Sequence, residues 1–558
     1  MSKIDKALQV GYAAYQRGAF AEARRALQRV KHPKAVHLLG LVEKADGQLE
    51  KALQLLQRAA ALDPRDPEVA NNLGQTAKQL GRPDLAETQL RRALELRTDF
   101  QQAAISLGQL LLDQERYTEA AEIYSKLLVT TPTNIYVRHG LGTAVLGLGE
   151  AERAAVLFDE LIKEGVDRPE VRFMRGRARL ELGQTEAGID DLRNSHAGSP
   201  SVLSLKALAN CFWMNRDQSA FDKLLDEALA HEELAVSAAE LLRQSGEPRK
   251  ALDALDKASS LFSLPPEAAA IAATAHIDLS EAEKAEALAR EAIAIIPQDA
   301  LLRRNLIVSL LMQGKAGDAM PFIEELRTRE PNDQQWIAYE ASALRLLGDE
   351  RYTRLVDLER FVRPYDLPIP DGFENLADFN AAFLHSLSQL HQDTTHPLNQ
   401  SLRDGSQSPR DLTKVDDPVI QAFYRALDGP IRQYMADVGN ADDHPLTARN
   451  TGNYRFAGAW SVKLRGGGKH VNHVHPEGWI SSSYYVAVPD ETRTDDNRAG
   501  WIKFSEPPFA TTPASPPEKW VRPEAGMLVL FPSFLWHGTE AIHDGSLRVT
   551  APFDAVPD

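Results

Sequence analysis

Cysteine is almost missing: Cys211 is the only one in 558 residues. That excludes an intrachain disulfide and any cysteine-rich zinc cluster, and it accords with a reducing compartment. An excess of positive charge is also lacking. With 63 basic against 79 acidic side chains and a formal net charge of -16, long-range repulsion opposes nucleic acid and anionic membrane, so neither is expected as a partner. No run of about 18 apolar residues occurs, and the opening Met1-Ser-Lys-Ile-Asp-Lys6 has no apolar signal core. A cytoplasmic protein is the expectation. Gly466-Gly-Gly468 lacks the Lys-Ser/Thr ending of a phosphate loop and reads as a turn. Ser481, Ser482 and Ser483 lack a nucleophile elbow, which leaves serine hydrolysis unsupported.

What is present is an ordinary globular composition, 43% apolar and 25% charged, in a chain too long for one core. Two or more domains are expected. Internal repetition organises the first of them. Gly40, Gly74, Gly108, Gly142 and Gly176 recur every 34 residues, and Ala52, Ala86, Ala120 and Ala154 keep the same step, with Gly188 in the next place. The register blurs around 202–265 and returns with Ala285 and Ala319, then Pro297 and Pro331. Small residues at fixed positions let paired helices cross closely. This step and these residues resemble the tetratricopeptide repeat, a helix–turn–helix unit. The resemblance covers roughly residues 3–363 and implies an all-α solenoid whose concave face binds protein or peptide. Trp213 and Trp336 read as packing or solvated residues, and no peptide contact is named.

The helical period fails after Phe361-Val-Arg-Pro364, and Tyr365–Gly372 carries two prolines without a helical pattern. A second domain is therefore placed at 364–558. Two helical segments, Leu376–His391 and Asp417–Val438, flank the polar loop Gln400–Pro409. Short alternating or apolar runs follow: Ala459–Leu464, His473–His475, Ser481–Val488, Trp501–Phe504, Met527–Phe531 and Arg548–Phe553. Separated by Gly, Pro and Asp clusters, they predict strands of an all-β double-stranded barrel or jelly roll. Asp490–Asp496 is charged enough to be a mobile loop, and His470 and His543 read as solvated loop residues.

The chemistry concentrates between His473 and Arg548. Two imidazoles at i and i+2 of a strand point to one face, so His473 and His475 could share an ion with His537 arriving from a distant strand. Iron(II) that activates dioxygen needs about three ligands on one side and open positions opposite. Arg548 and Thr550 share a strand face and could clamp a carboxylate. Of Tyr484 and Tyr485, which point opposite ways, Tyr485 is assigned to the pocket.

From about Tyr365 to Asp554 the chain resembles the bacterial 2-oxoglutarate/Fe(II)-dependent oxygenases often fused behind tetratricopeptide repeats. The matching pieces, in order, are Asn399-Gln-Ser-Leu-Arg-Asp-Gly405, His473-Val-His475-Pro, Ser482-Ser-Tyr-Tyr-Val486, Ala525-Gly-Met-Leu-Val-Leu-Phe-Pro-Ser533, His537 and Arg548-Val-Thr550. The resemblance implies a double-stranded β-helix with flanking helices, jelly-roll or cupin-like. It also implies Fe(II) on the histidines and 2-oxoglutarate with its far carboxylate on Arg548. The activity so implied is a dioxygenase that hydroxylates a protein or peptide side chain recruited by the repeats. Trp479 and Trp536 could shape the substrate mouth or pack in the core.

One departure stands out. The superfamily pattern is His-x-Asp or His-x-Glu, whereas His475 follows His473 here. Either His475 replaces the carboxylate and the ion has three neutral ligands, or His475 and Glu477 form the usual pair with His473 outside. The His-x-His-Pro match favours the first. Two other functions remain open from the residues: a three-histidine zinc enzyme with an activated water, and a non-catalytic repeat scaffold with a degenerate barrel.

Overall fold

The computed structural model describes residues 2–391, 396–398, 400–409, 411–494, 497–543, 545 and 547–558. The chain divides into two compact units, Met1–Ser195 and His196–Asp558. The first is built of antiparallel helix pairs such as Pro67–Gln79 with Pro83–Leu96 and Gln101–Asp113 with Tyr117–Thr130. Side-chain caps start many of them. Asp66 accepts from the amides of Glu68 and Val69, with Pro67 in the first turn, and Asn134 does the same for Tyr136 and Val137. The turns after these helices need a left-handed residue. Gly47, Gly81, Gly149 and Gly183 supply it, and Glu115 takes that conformation at the same 34-residue step.

Each repeating glycine makes room for a large side chain of the following helix, Leu56 at Gly40, Leu90 at Gly74, Tyr124 at Gly108 and Phe158 at Gly142. A Cβ added to Gly108 would stand 2.6 Å from Tyr124 Cζ, and one at Gly140 would also strike that ring. Tyr124, buried, thus fills the space left by two glycines on neighbouring helices.

In the second unit, helices continue from Val202–Met214 to Gln334–Leu347, so the repeats persist through the blurred stretch. Its blur has a geometric source. Successive first helices begin at 202 and 232, a step of 30 residues, where earlier ones begin at 101 and 135, a step of 34. Short helices Arg351–Leu355 and Leu358–Phe361 close the helical chain.

Eleven strands follow among the described residues: β1 (Arg363–Asp366), β2 (Leu402–Gln407), β3 (Tyr454–Ala459), β4 (Val462–His470), β5 (Ile480–Ala487), β6 (Ile502–Phe504), β7 (Lys519–Val521), β8 (Met527–Pro532), β9 (His537–Thr539), β10 (Arg548–Thr550) and β11 (Phe553–Pro557). An eight-stranded antiparallel sheet runs β1-β8-β5-β10-β4-β2, with β11 joining β5 to β3, and a three-stranded sheet runs β7-β6-β9. The two antiparallel sheets accord with the expected double-stranded β-helix. Helices Leu376–Leu390, Pro418–Ala426 and Asp428–Val438 cover its apolar outside through Phe379, Phe383, Phe423 and Tyr484.

Several local expectations are corrected. The polar loop Gln400–Pro409 contains β2, which pairs with β4 despite its hydrophilic side chains. Gly466–Gly468 lie inside β4, where Gly467, with φ 89°, sits in a bulged register rather than a free turn. His473–His475 is not a ladder strand: His473 makes an isolated bridge to His537, and Pro476 has no amide to continue it. The segment 417–438 is two helices divided after Ala426. Asn399, Asp495 and Asp496 lie outside the described residues.

Replacing Gly108 by valine is expected to overpack the Tyr124 site at a cost of about 1–3 kcal/mol. Because repeats answer to their neighbours, amide exchange should rise in Gln101–Asp113 and Tyr117–Thr130; unchanged protection there would contradict the packing argument. His391 gives a second expectation. Its ring bridges Ser406 Oγ at 2.8 Å and Ser461 Oγ at 2.6 Å, and burial lowers its pKa to about 3. The unfolded chain binds the proton near the ordinary value of about 6.5, so stability falls as pH drops from there toward 3. Urea midpoints across that window should slope less steeply in His391→Asn than in the parent.

Candidate metal centre

Two segments far apart in sequence are stapled together at the site. The amide of His473 donates to the carbonyl of His537 at 2.9 Å, and the amide of His537 returns the bond to His473 at 3.0 Å. His475 is held one step on, its amide donating to the Ser533 carbonyl at 3.1 Å. These bonds set three rings side by side, with centroids 4.2 Å apart for His473 and His537 and 5.1 Å for each of the other pairs. One ligand nitrogen from each of the three lies within 4.8 Å of the others.

Which nitrogen faces inward follows from the other's partner. Nδ1 of His473 lies 2.8 Å from the Val471 carbonyl and Nδ1 of His537 lies 2.9 Å from the Leu535 carbonyl. A carbonyl only accepts, so each Nδ1 carries the proton and each Nε2 keeps its lone pair. Nδ1 of His475 donates instead to the Asp554 carboxylate, at 2.6 and 2.5 Å. Asp554 also accepts from Ser481 Oγ at 2.7 Å, and Ser481 reaches Ser533 Oγ at 2.8 Å. A carboxylate behind a ligating histidine fixes its tautomer and raises its basicity. Burial, then the neighbouring imidazoles, drives the His537 pKa well below its ordinary value and that of His473 to about 3. Both rings are therefore neutral and ready to ligate near pH 7.

A cavity of about 510 Å³ opens beside the cluster. Arg548 lines it, only 1% exposed, with its Nε lacking a hydrogen-bond partner among the described residues. No carboxylate pairs with this guanidinium among the described residues. Burial pulls its pKa below the ordinary arginine value, and an uncompensated buried cation of this kind is expensive until an anion meets it. Thr550 lines the same cavity on the same strand. Tyr485 lies under the guanidinium rather than on the cavity wall, with its ring centre 5.1 Å from Arg548 Cζ. Tyr484 turns the other way, donating to Asn380 Oδ1 at 2.7 Å.

The structure therefore gathers His473, His475 and His537, and it sets Arg548 and Thr550 on the adjoining cavity. Glu477 is exposed on the cavity rim and is not part of the three-residue group. Both tryptophans pack: the Trp479 indole donates to the Leu446 carbonyl, and that of Trp536 to Ser342 Oγ at 2.9 Å. His470, expected in solvent, lines the cavity instead, with Nδ1 3.0 Å from Ser401 Oγ. Ser401 Oγ also lies 3.3 Å from His473 Nε2. Sequence reasoning missed Asp554, Ser401 and the role of His470. The alternation of Arg548, Thr550, Pro552 and Asp554 along the cavity wall was the available signal.

Residues 458–554 match a family model described as "Putative 2OG-Fe(II) oxygenase", and residues 34–99, 71–135, 111–180 and 236–300 match tetratricopeptide repeat models. Among curated proteins, the chain is similar to Protein FlbA of Caulobacter vibrioides, 29% identical over 31% of this chain and 30% of that one. Tetratricopeptide repeat protein 21A of Mus musculus is 26% identical over 30% of this chain and 13% of that one. The chain thus spans less than a third of either relative. Among solved structures, a tetratricopeptide repeat protein from Parabacteroides merdae aligns at 15% identity and a TM-score of 0.36, covering 41% of this chain and 92% of that one. The chain carries tetratricopeptide repeats followed by a domain that matches the 2OG-Fe(II) oxygenase family.

Proposed function

We propose that the β-rich part, from about residue 364 onward, is a 2-oxoglutarate- and Fe(II)-dependent dioxygenase that hydroxylates a protein or peptide side chain recruited by the repeats. The observation that carries this reading is the buried Arg548 guanidinium, without a carboxylate partner among the described residues, on the cavity wall shared with three convergent imidazoles. A zinc hydrolase would need the imidazoles but has no task for that cation.

In this reading His473, His475 and His537 hold the metal through Nε2. When bound, Fe(II) with 2-oxoglutarate supplies dioxygen activation coupled to decarboxylation of the cosubstrate to succinate. The chain supplies geometry and field. Arg548 takes the far carboxylate of 2-oxoglutarate through charge-assisted hydrogen bonds, with the Thr550 hydroxyl beside it. The Tyr485 ring supports the guanidinium from below. Ile502 and Phe531 form apolar cavity wall that keeps bulk water from the reacting side chain. Asp554 answers the departure from His-x-Asp. It stands behind His475 rather than among the three ligating residues, and its charge would reach a bound ion through the short hydrogen bonds to His475.

The test is anaerobic titration with Fe(II) and 2-oxoglutarate, followed by succinate release in air with ascorbate and candidate peptides. The parent should show the weak visible band of chelated iron. Arg548→Ala should demand at least tenfold more 2-oxoglutarate, consistent with about 2–5 kcal/mol for truncating one partner of a buried charge pair, while Fe(II) affinity holds. A band that is absent in the parent, with stoichiometric zinc by metal analysis, would hand the site to the zinc reading. Separately, Asp554→Asn keeps an acceptor for His475 and removes only charge. Fe(II) affinity should fall about 10–100-fold, read by competition with a chromophoric chelator; an unchanged affinity would show that Asp554 merely orients the ring.

A further inference from the structure

A second cavity, of about 950 Å³, lies within the second unit between repeat helices and the chain leading into β2. Trp213, Arg216 and Arg243 line it from the helical side, and Leu398, Gln400 and Arg403 from the other. Gln400 also lines the cavity of the histidine cluster, and the next residue, Ser401, touches His470 and His473. The two spaces therefore meet at one short stretch of backbone.

Its charge runs against that of the chain. In a protein of net charge -16, three guanidiniums face this cavity against two carboxylates, Asp278 and Asp404. Arg243 is already satisfied, by Glu240 at 2.8 Å and Asp278 at 2.7 Å. Arg216 and Arg403 are different, for neither has a carboxylate within ion-pair distance among the described residues. Nη1 of Arg403 donates to the carbonyls of Gln400 and Leu402, at 2.6 and 2.7 Å, which aims the rest of a half-buried guanidinium at the cavity. Arg216 holds a left-handed backbone, φ 58°, two residues past helix Val202–Met214, a position that Gly246 fills after Glu232–Gln244. A turn that glycine would fit without strain instead carries an exposed cation.

We propose that this cavity binds an acidic stretch of the polypeptide substrate, with its carboxylates on Arg216 and Arg403, while a neighbouring part of the same polypeptide passes Gln400 to the histidine cluster. The assignment of that cluster as the reacting centre rests on the oxygenase reading; the binding of acidic peptide does not. Arginine forks match carboxylates in bidentate fashion, and a site built on repeat helices gives an extended peptide a rigid wall.

Fluorescein-labelled hexaglutamate and hexalysine peptides, titrated into the full-length metal-free protein by fluorescence anisotropy, test this directly. Hexaglutamate should bind and hexalysine should not, with affinity falling as salt is raised. The Arg216→Ala/Arg403→Ala protein should lose at least tenfold in affinity. Arg216→Glu, at an exposed position where misfolding is not at issue, should lose at least as much, and Arg432→Ala, at an exposed position of the helix Asp428–Val438, should lose nothing. Absence of hexaglutamate binding, equal binding of both peptides, or undiminished binding by Arg216→Glu overturns the proposal. Hexaglutamate binding by a protein that shows no chelated-iron band when titrated with Fe(II) and 2-oxoglutarate would leave the acidic-peptide site standing and sink the oxygenase reading; the band without hexaglutamate binding would do the reverse.

Discussion

The reciprocal amide bonds between His473 and His537 are the constraint from which the rest of the site follows. They fix two backbone segments at strand spacing, and strand spacing leaves the rings nowhere to go but alongside each other. The carbonyls of Val471 and Leu535 then occupy the outer nitrogens. What remains is a set of inward lone pairs that no side chain rearrangement inside the cluster can easily withdraw. A preformed site of this kind loses little ordering entropy when an ion arrives.

Charge is distributed around that cluster in a consistent way. The His473 and His537 rings are neutral, one carboxylate sits behind His475, and one guanidinium stands across the cavity without a carboxylate partner among the described residues. Desolvation raises the stakes of every such imbalance, because the interior screens poorly. A small anion entering the cavity would meet that guanidinium and offset the cost of its burial.

Much of this was legible in the amino-acid order, and the reasons for what was not are physical. The 34-residue step is visible because helix crossings tolerate only small side chains, as Tyr124 against Gly108 and Gly140 illustrates. The imidazoles and Arg548 are visible because few other tasks demand those residue types in that arrangement. β2 was hidden because a strand beside a polar cavity needs no apolar alternation, and its sequence Leu-Arg-Asp-Gly-Ser-Gln resembles a loop. The carboxylate of Asp554 was missed for another reason: alternation carries it to the cavity wall, but its place behind His475 depends on pairing between β11 and β5, opposite Ser481. His470 was misjudged because burial at a strand end is a tertiary property.

The contacts between Trp536 and the last repeat helix carry a practical corollary. Its indole donates to Ser342, its ring stacks edge-on against Tyr339 at 5.5 Å, the Pro476 carbonyl accepts the Gln334 amide, and Arg345 grips the carbonyls of Ser505 and Pro516. Severing the polypeptide at the point where helices give way to strands would strip partners from the very loops that present His475 and His537. Helix Gln334–Leu347 therefore serves as part of the scaffold of the histidine cluster, and a fragment that begins at the first β-strand would lack it.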